Sequence, residues 1–205
     1  MIPRFDIDVK STIPSDATFW VPSDEDLADG EGIGFFHDTH LIVADLDEAR
    51  RVMEAERIAA GFADEQSTTI AGFEVIADQA EFEFPDLPSE EAPAFMTTGD
   101  AWYGVNELEI GVAGLVHALN AVGVVTAASC RGHHGVHRRW AAGPVVVFAA
   151  DRTRTELLQG MVEASGCGFD RNGVDHPKLL AVVAPSILEM MDLADRVVAD
   201  ADAFA

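Results

Sequence analysis

The sequence predicts an α/β fold in which a mixed β-sheet is covered, as a sandwich, by capped amphipathic helices. Short apolar stretches typical of buried strands alternate with stretches of helical periodicity through the second half of the chain. Most of these helical stretches begin at a side-chain cap and end at glycine. The chain has 205 residues, 48% of them hydrophobic and 24% charged, so it can bury a core, which excludes disordered, collagenous and coiled-coil proteins.

The first half of the chain is the less regular one. Residues 1–38 mix proline, aspartate and glycine with scattered aromatics and predict an acidic, irregular arm. Residues 39–84 predict a β-α-β-β lobe, and residues 85–105, which carry three prolines, predict a long connection. Within the lobe, strands are expected over 41–44, 73–76 and 80–84, and a helix from the N-cap Asp45 to Gly61.

Residues 106–205 predict an α/β unit in the order α-β-β-α-β-α. Asn106 with Glu109 is expected to cap its first helix, and His117 lies off the apolar stripe of that helix, so we expect it to face solvent. Cys167, after a helix-ending glycine, is expected to be a packed thiol. The predicted helices run from Asn106 to Gly123, from Thr153 to Gly166 and onward from Ser186, and the predicted strands cover 124–128, 145–149 and 179–183.

Charge and composition narrow the classes of partner. Thirty-six acidic against thirteen basic residues give a formal charge of -23, which repels phosphate backbones and disfavours nucleic acid. Eleven of the thirteen bases are arginine, a balance typical of a salt-adapted or GC-rich source. High salt screens charge and therefore weakens the argument from net charge against nucleic acid.

Other features of the composition bear on location and oligomeric state. No apolar run approaches the roughly 20 residues of a membrane span, and the start of the chain lacks the apolar core of an export signal, so no membrane and a cytoplasmic location are expected. Two cysteines are too few for a secreted disulfide framework. The composition is compatible with a homo-oligomer.

The connection after the predicted strand 124–128 concentrates the reactive side chains of the protein. The sequence from Ser129 to Trp140 holds one of the two cysteines, three of the seven histidines and three of the eleven arginines. Loops that follow strands of a rigid sheet commonly carry function. We therefore expect the functional site between Ser129 and His137.

Two kinds of chemistry fit this loop. The first is nucleophilic catalysis, in which Cys130 is the nucleophile and His133 its acid or base. Imidazolium and guanidinium groups favour it because they lower the pKa of a nearby thiol. A zinc or iron site is the other, since cysteine and histidine at these spacings can chelate a metal. Its predicted ligands are Cys130, His133, His134 and His137, with His37, Asp38 or His40 as remote ones.

A third interpretation needs no reaction. Arginine side chains and glycine backbone can hold a carboxylate or phosphate by bidentate and main-chain hydrogen bonds. The residues predicted to bind such a ligand are Ser129, Arg131, Gly132, Gly135 and Arg138. In a fourth interpretation Cys130 is a buried apolar residue and the loop a solvated tip.

The C-terminal half contains, in this order, Thr126-Ala-Ala-Ser-Cys-Arg-Gly-His133, the strand 145–148, a helix, Gly168-Phe-Asp-Arg-Asn-Gly173 and the strand 179–183. This series of motifs resembles the wybutosine-synthesising tRNA methyltransferase family. That family has a Ser-Cys-Ser-Gly-Arg loop after a strand and a later Gly-Phe-x-x-Ser-Gly turn. The sequence is also similar to small uncharacterised bacterial proteins with a Ser-Cys-x-Gly-His loop. The resemblance covers the C-terminal half and implies that Ser129, Cys130 and Gly132 line a site for S-adenosylmethionine and its substrate, with His133 where the family has arginine.

From these observations we expect an enzyme that acts on a small-molecule or nucleotide-derived ligand at the loop from Ser129 to His137. An S-adenosylmethionine-dependent transferase like the family above is one alternative. A non-catalytic anion- or metal-binding module is another. S-adenosylmethionine and zinc are the two candidate cofactors.

Overall fold

The computed structural model describes residues 1–29, 45–82, 108–134, 141–171 and 177–205, and over these ranges it has the predicted α/β fold, with helices packed against a β-sheet. The helices are α1 (Asp24–Asp29), α2 (Leu46–Gln66), α3 (Ile70–Phe82), α4 (Ala113–Ala121), α5 (Arg152–Ser165) and α6 (Ile187–Ala199), and a 3-10 turn covers Ala201–Phe204. The strands are β1 (Val125–Cys130), β2 (Val145–Ala149), β3 (Gly168–Asp170) and β4 (Leu180–Val183).

The described strands form one sheet in the order β1-β2-β4-β3. All three pairings are antiparallel, so this part of the sheet is antiparallel where we expected a mixed one. The difference comes from β3, which was not predicted as a strand; it has only three residues and begins with glycine. With β3 included, the order becomes α-β-β-α-β-β-α, and β3 and β4 pair as antiparallel neighbours.

The two faces of the sheet are covered differently. One face packs on α4, α5 and α6 and forms the largest core cluster, which includes Leu119, Phe148 and Leu193. The other face, which carries Cys130 and Val147, packs against Trp20 of the N-terminal segment. Cys130 thus lies at the end of β1 on the face opposite the main helical core.

The N-terminal segment is irregular before helix α1, which was not predicted, and it is attached along the sheet by backbone hydrogen bonds. The amide of Phe169 donates to the Lys10 carbonyl at 2.7 Å, and the Trp20 amide donates to the Ala150 carbonyl at 2.9 Å. The Phe5 amide donates to the Pro185 carbonyl at 2.8 Å.

The predicted strands at 73–76 and 80–82 are wrong, because residues 70–82 form α3. Phe73 and Ala77, four residues apart, are both buried against α2, and this packing outweighs the strand-like alternation of the sequence. Gly61 does not end α2, which continues to Gln66. Asp45 is the N-cap of α2, as predicted; its carboxylate accepts the amide hydrogens of Asp47 and Glu48.

Helix α4 is shorter and more deeply buried than predicted. It begins at Ala113, and its C-terminal end is followed by Gly123 at φ +78°, as expected for a helix-ending glycine. His117 is fully buried, so the expectation that it faces solvent is wrong. The helix packs against α2, α6 and β1 together, which leaves it no solvent face, and burial lowers the pKa of the His117 imidazole.

The two C-terminal helices have the predicted ends with one change. Asp151, rather than Thr153, is the N-cap of α5, and Gly166 ends that helix in the left-handed conformation. Ser186 is the N-cap of α6, where its hydroxyl accepts the Leu188 amide hydrogen.

Some expected elements lie outside the described residues. These are the strand at 41–44, the end of the strand predicted to reach residue 84, the connection over 85–105 and the cap at Asn106. None of the helices in the described ranges has both the length and the apolar character that a membrane crossing requires. The division of the chain into an arm, a lobe, a connection and an α/β unit stays a prediction.

Candidate functional site

The candidate site begins where β1 ends. The last residue of β1, Cys130, pairs with Val145 of β2, and the chain then turns at Gly132, whose φ is +78°. A Cβ at this glycine would lie 2.7 Å from the backbone of Gly143, so the turn requires glycine both for its conformation and for the close approach. The turn brings His133 back toward the end of the strand.

A carboxylate, a thiol and an imidazole meet at this turn. One ligand-type atom from each of Glu109, Cys130 and His133 lies within 4.8 Å of the other two. The Nε2 atom of His133 is 3.0 Å from Oε1 of Glu109. The backbone amide of Arg131 donates to Oε2 of Glu109 at 2.6 Å, so both oxygens of this carboxylate are engaged at the loop.

Glu109 is positioned by a turn that leads into α4. Its carbonyl accepts the amide hydrogens of Val112 and Ala113, both at 3.2 Å. The turn passes through Gly111 at φ +98°, and a Cβ there would lie 2.3 Å from Ile187. The position of Glu109 therefore depends on the close packing of this turn against α6.

A buried carboxylate of α2 also binds this turn through hydrogen bonds. Glu56 is 1% exposed and accepts the amide hydrogens of Gly111 at 2.7 Å and of Gly114 at 3.2 Å. Val112 at the N-cap of α4 has no side chain that could do this. Glu56 thus acts as the cap of α4 from a neighbouring helix.

The electrostatics of Cys130 disfavour a free nucleophile. Burial raises the pKa of its thiol to about 12, and the negative charge of Glu109 adds to this; the Gly132 amide and the Arg131 charge oppose it. Without a cation the thiol is therefore protonated at neutral pH, and the thiolate is the form that attacks. A bound metal ion would reverse this balance, because a thiol that coordinates a metal is deprotonated.

Helix α3 contacts the loop on its other side. The guanidinium of Arg131, 2% exposed, forms an ion pair with Asp78 and lies 3.5 Å from the carbonyl oxygen of Glu74. The backbone amide of His134 donates to Oε1 of Glu74 at 2.6 Å. The His134 ring stacks on Phe5, with the ring centroids 4.2 Å apart.

The structure brings some of the predicted site residues together and separates others. Cys130 and His133 meet, whereas the imidazole of His134 lies against Phe5 instead of in their cluster. Ser129 lies in β1 opposite Val146, and Arg131 is directed to α3, so their expected roles in ligand binding stay predictions. Other predicted site residues lie outside the described ranges: Gly135, His137, Arg138, His37, Asp38 and His40.

The sequence interpretation missed Glu109 as a site residue, since it was expected only to cap a helix. It also missed Glu74 and Asp78, because their segment was expected to include strands. One signal was available for Glu109: it is the last acidic residue before the uncharged stretch from Ile110 to Val124. A carboxylate immediately before a buried, uncharged segment must lie at the edge of a core.

Comparisons with known proteins give no relative on which to base a function. No protein-family model matches the chain, and neither the curated proteins nor the solved structures include a match. The expected relation to the wybutosine-synthesising methyltransferases, with its S-adenosylmethionine cofactor, therefore stays a prediction.

Proposed function

We propose that Glu109, Cys130 and His133 bind a divalent transition metal, with zinc as the best match, and that the protein is a metal-dependent hydrolase of a small molecule. The observation that carries the proposal is the approach of three different donor atoms, from two separate places in the chain, to within 4.8 Å of one another. Zinc bound by such groups has ligand distances of about 2.0–2.3 Å.

The types of donor select the metal. A thiolate and an imidazole favour zinc over magnesium or calcium, which prefer oxygen ligands. Glu109 now accepts a hydrogen bond from the Arg131 amide on one oxygen, which leaves its other oxygen, next to His133, to bind an ion. The ion would replace the contact between His133 and Glu109 and would keep Cys130 as a thiolate.

Access to the cluster supports a catalytic rather than a purely structural metal. Cys130 is buried, whereas the side chains of His133 and Glu109 are 24% and 29% exposed, so an ion at the cluster would face solvent on their side. Within the part of the chain that the structure describes, three side chains would bind the ion. Zinc with three protein ligands and an open fourth position lowers the pKa of a water that it binds to near 7. This chemistry would make the site hydrolytic.

The experiment is elemental analysis of untagged protein purified without chelators, followed by removal and return of the metal. We expect one zinc per chain, lost in Cys130→Ser, His133→Ala and Glu109→Gln. The matched control is Cys167→Ser, which changes the other buried cysteine, on the opposite face of the sheet, and should retain the metal. Hydrolysis of 4-nitrophenyl acetate should fall on chelation and return with zinc.

Two results would contradict the proposal in different ways. Metal-free protein that binds no added zinc would remove the metal site. Protein that unfolds when its zinc is chelated and has no esterase activity would point to a closed, structural site with a fourth protein ligand, which contradicts the hydrolase.

A further inference from the structure

We propose that Glu74 and Asp78 of α3 are positioning residues that hold loop 130–134 in the conformation in which Cys130 and His133 can bind the metal. This inference rests on the proposed function. It concerns a helix that supplies no metal ligand of its own. It predicts that the affinity of the site depends on contacts between side chains outside the ligand set.

Ligand residues and anchoring residues alternate along loop 130–134. Cys130 and His133 supply ligand atoms, and the residue after each of them contacts α3. Arg131 forms its ion pair with Asp78, and the His134 amide donates to Glu74 at 2.6 Å. Each ligand is therefore followed directly by an anchor.

The two anchors meet one face of α3. Glu74 and Asp78 are four residues apart, which places them on the same side of the helix, one turn from each other. Phe73 and Ala77, the residues before them, are buried against α2. The helix thus presents its carboxylates to the loop from a fixed position in the core.

Burial of Arg131 gives this contact its strength. Its side chain is 2% exposed, and a buried guanidinium must be paired. Asp78, at 60% exposed, reaches the guanidinium from the protein surface. Loss of the Asp78 charge would weaken the contact between α3 and the Arg131 guanidinium, and a shift of Arg131 would carry its neighbours Cys130 and Gly132 with it.

The first measurement is a titration of metal-stripped protein with Co²⁺. The absorption band of charge transfer from the thiolate to cobalt reports the binding. Wild-type protein should show this band. Asp78→Asn should weaken Co²⁺ binding by about tenfold, at the low end of the range for residues that orient metal ligands. Asp78→Glu, which retains the charge, should restore most of the affinity.

The matched control is Asp195→Asn. Asp195 of α6 also forms an ion pair with an arginine of another helix, Arg57 of α2, at 2.9 Å. It is remote in sequence from the loop and from α3. It should leave the Co²⁺ affinity within twofold of wild type. A loss of affinity in Asp195→Asn equal to that in Asp78→Asn would show a general effect of charge and overturn the inference.

A second measurement needs no metal. In metal-free protein, Asp78→Asn should speed alkylation of Cys130 at least fivefold and leave Cys167 unchanged, so that the second cysteine serves as a reference within the same chain. Glu74→Ala, which removes the acceptor of the His134 amide, tests the second anchor and is the variant to use if Asp78→Asn does not fold. Unchanged alkylation and unchanged Co²⁺ affinity in these variants would overturn the positioning role, whereas a wild-type protein without the cobalt band would instead contradict the proposed metal site.

Discussion

At the scale of single residues, Glu56 is an acidic side chain that is only 1% exposed. Its carboxylate is buried under α4, and burial raises its pKa to about 7 even though the amides of Gly111, Gly114 and Ala113 oppose the shift. The folded protein therefore holds this proton more tightly than the unfolded chain does, in which a glutamate has its ordinary pKa of 4.5. The contribution of Glu56 to stability is therefore fully present below about pH 4.5 and is lost as the pH rises to 7, by about 3 kcal/mol at 1.36 kcal/mol per pKa unit.

The replacement Glu56→Gln tests this account. An amide does not ionise, so the fall in unfolding free energy between pH 4.5 and 7 should be about 3 kcal/mol smaller in the variant than in wild type. Urea unfolding followed by circular dichroism at several pH values measures the slope. Glu54→Gln, which changes an exposed glutamate two positions away on α2, should retain the wild-type slope. Equal slopes in wild type and Glu56→Gln would contradict the role given to Glu56.

At the scale of elements, the turn after β1 depends on a glycine in the left-handed conformation. In Gly132→Ala the new Cβ would meet the Gly143 backbone, in addition to the strain of φ +78°. We expect a loss of about 1–3 kcal/mol of unfolding free energy, the cost of this conformation for a residue with a Cβ. Bound zinc should also be lost, because the turn places His133.

The control for this substitution is Gly160→Ala in α5. A Cβ at Gly160 would meet nothing within 4 Å, and alanine favours a helix over glycine. This variant should gain about 0.5–1 kcal/mol. Urea midpoints of the two variants and wild type measure both effects. A Gly132→Ala protein as stable as wild type would show that the turn tolerates another conformation.

Elements with local signals could be predicted from the sequence, and those fixed by packing could not. The strand 145–149 and the helix ended by Gly166 follow from an apolar run and a helix-ending glycine. Helix α3 was predicted as strands because its residues alternate as those of a strand do. Its helical conformation depends on packing against α2, which the local sequence does not show. The Cys130 and His133 pair was visible in one loop, whereas Glu109 joins them only through the fold.

At the scale of the whole molecule, acidic charge dominates. Thirteen bases cannot neutralise thirty-six acids, and the excess of 23 negative charges repels itself in the compact state. Because salt shortens the Debye length from about 10 Å at 0.1 M to about 3 Å at 1 M, it should relieve this repulsion. The urea midpoint should rise between 0.1 M and 1 M KCl. A midpoint that falls or stays constant would show that the surface ion pairs, which salt weakens, outweigh the repulsion.

If one zinc ion binds a sulfur, a nitrogen and an oxygen donor of this chain, X-ray absorption at the zinc edge will detect these donors around the ion. We expect one sulfur at about 2.3 Å and nitrogen or oxygen neighbours at about 2.0–2.2 Å. The sulfur signal should disappear in Cys130→Ser and persist in Cys167→Ser. A zinc spectrum without sulfur in the wild-type protein, or one that Cys130→Ser leaves unchanged, would contradict the site.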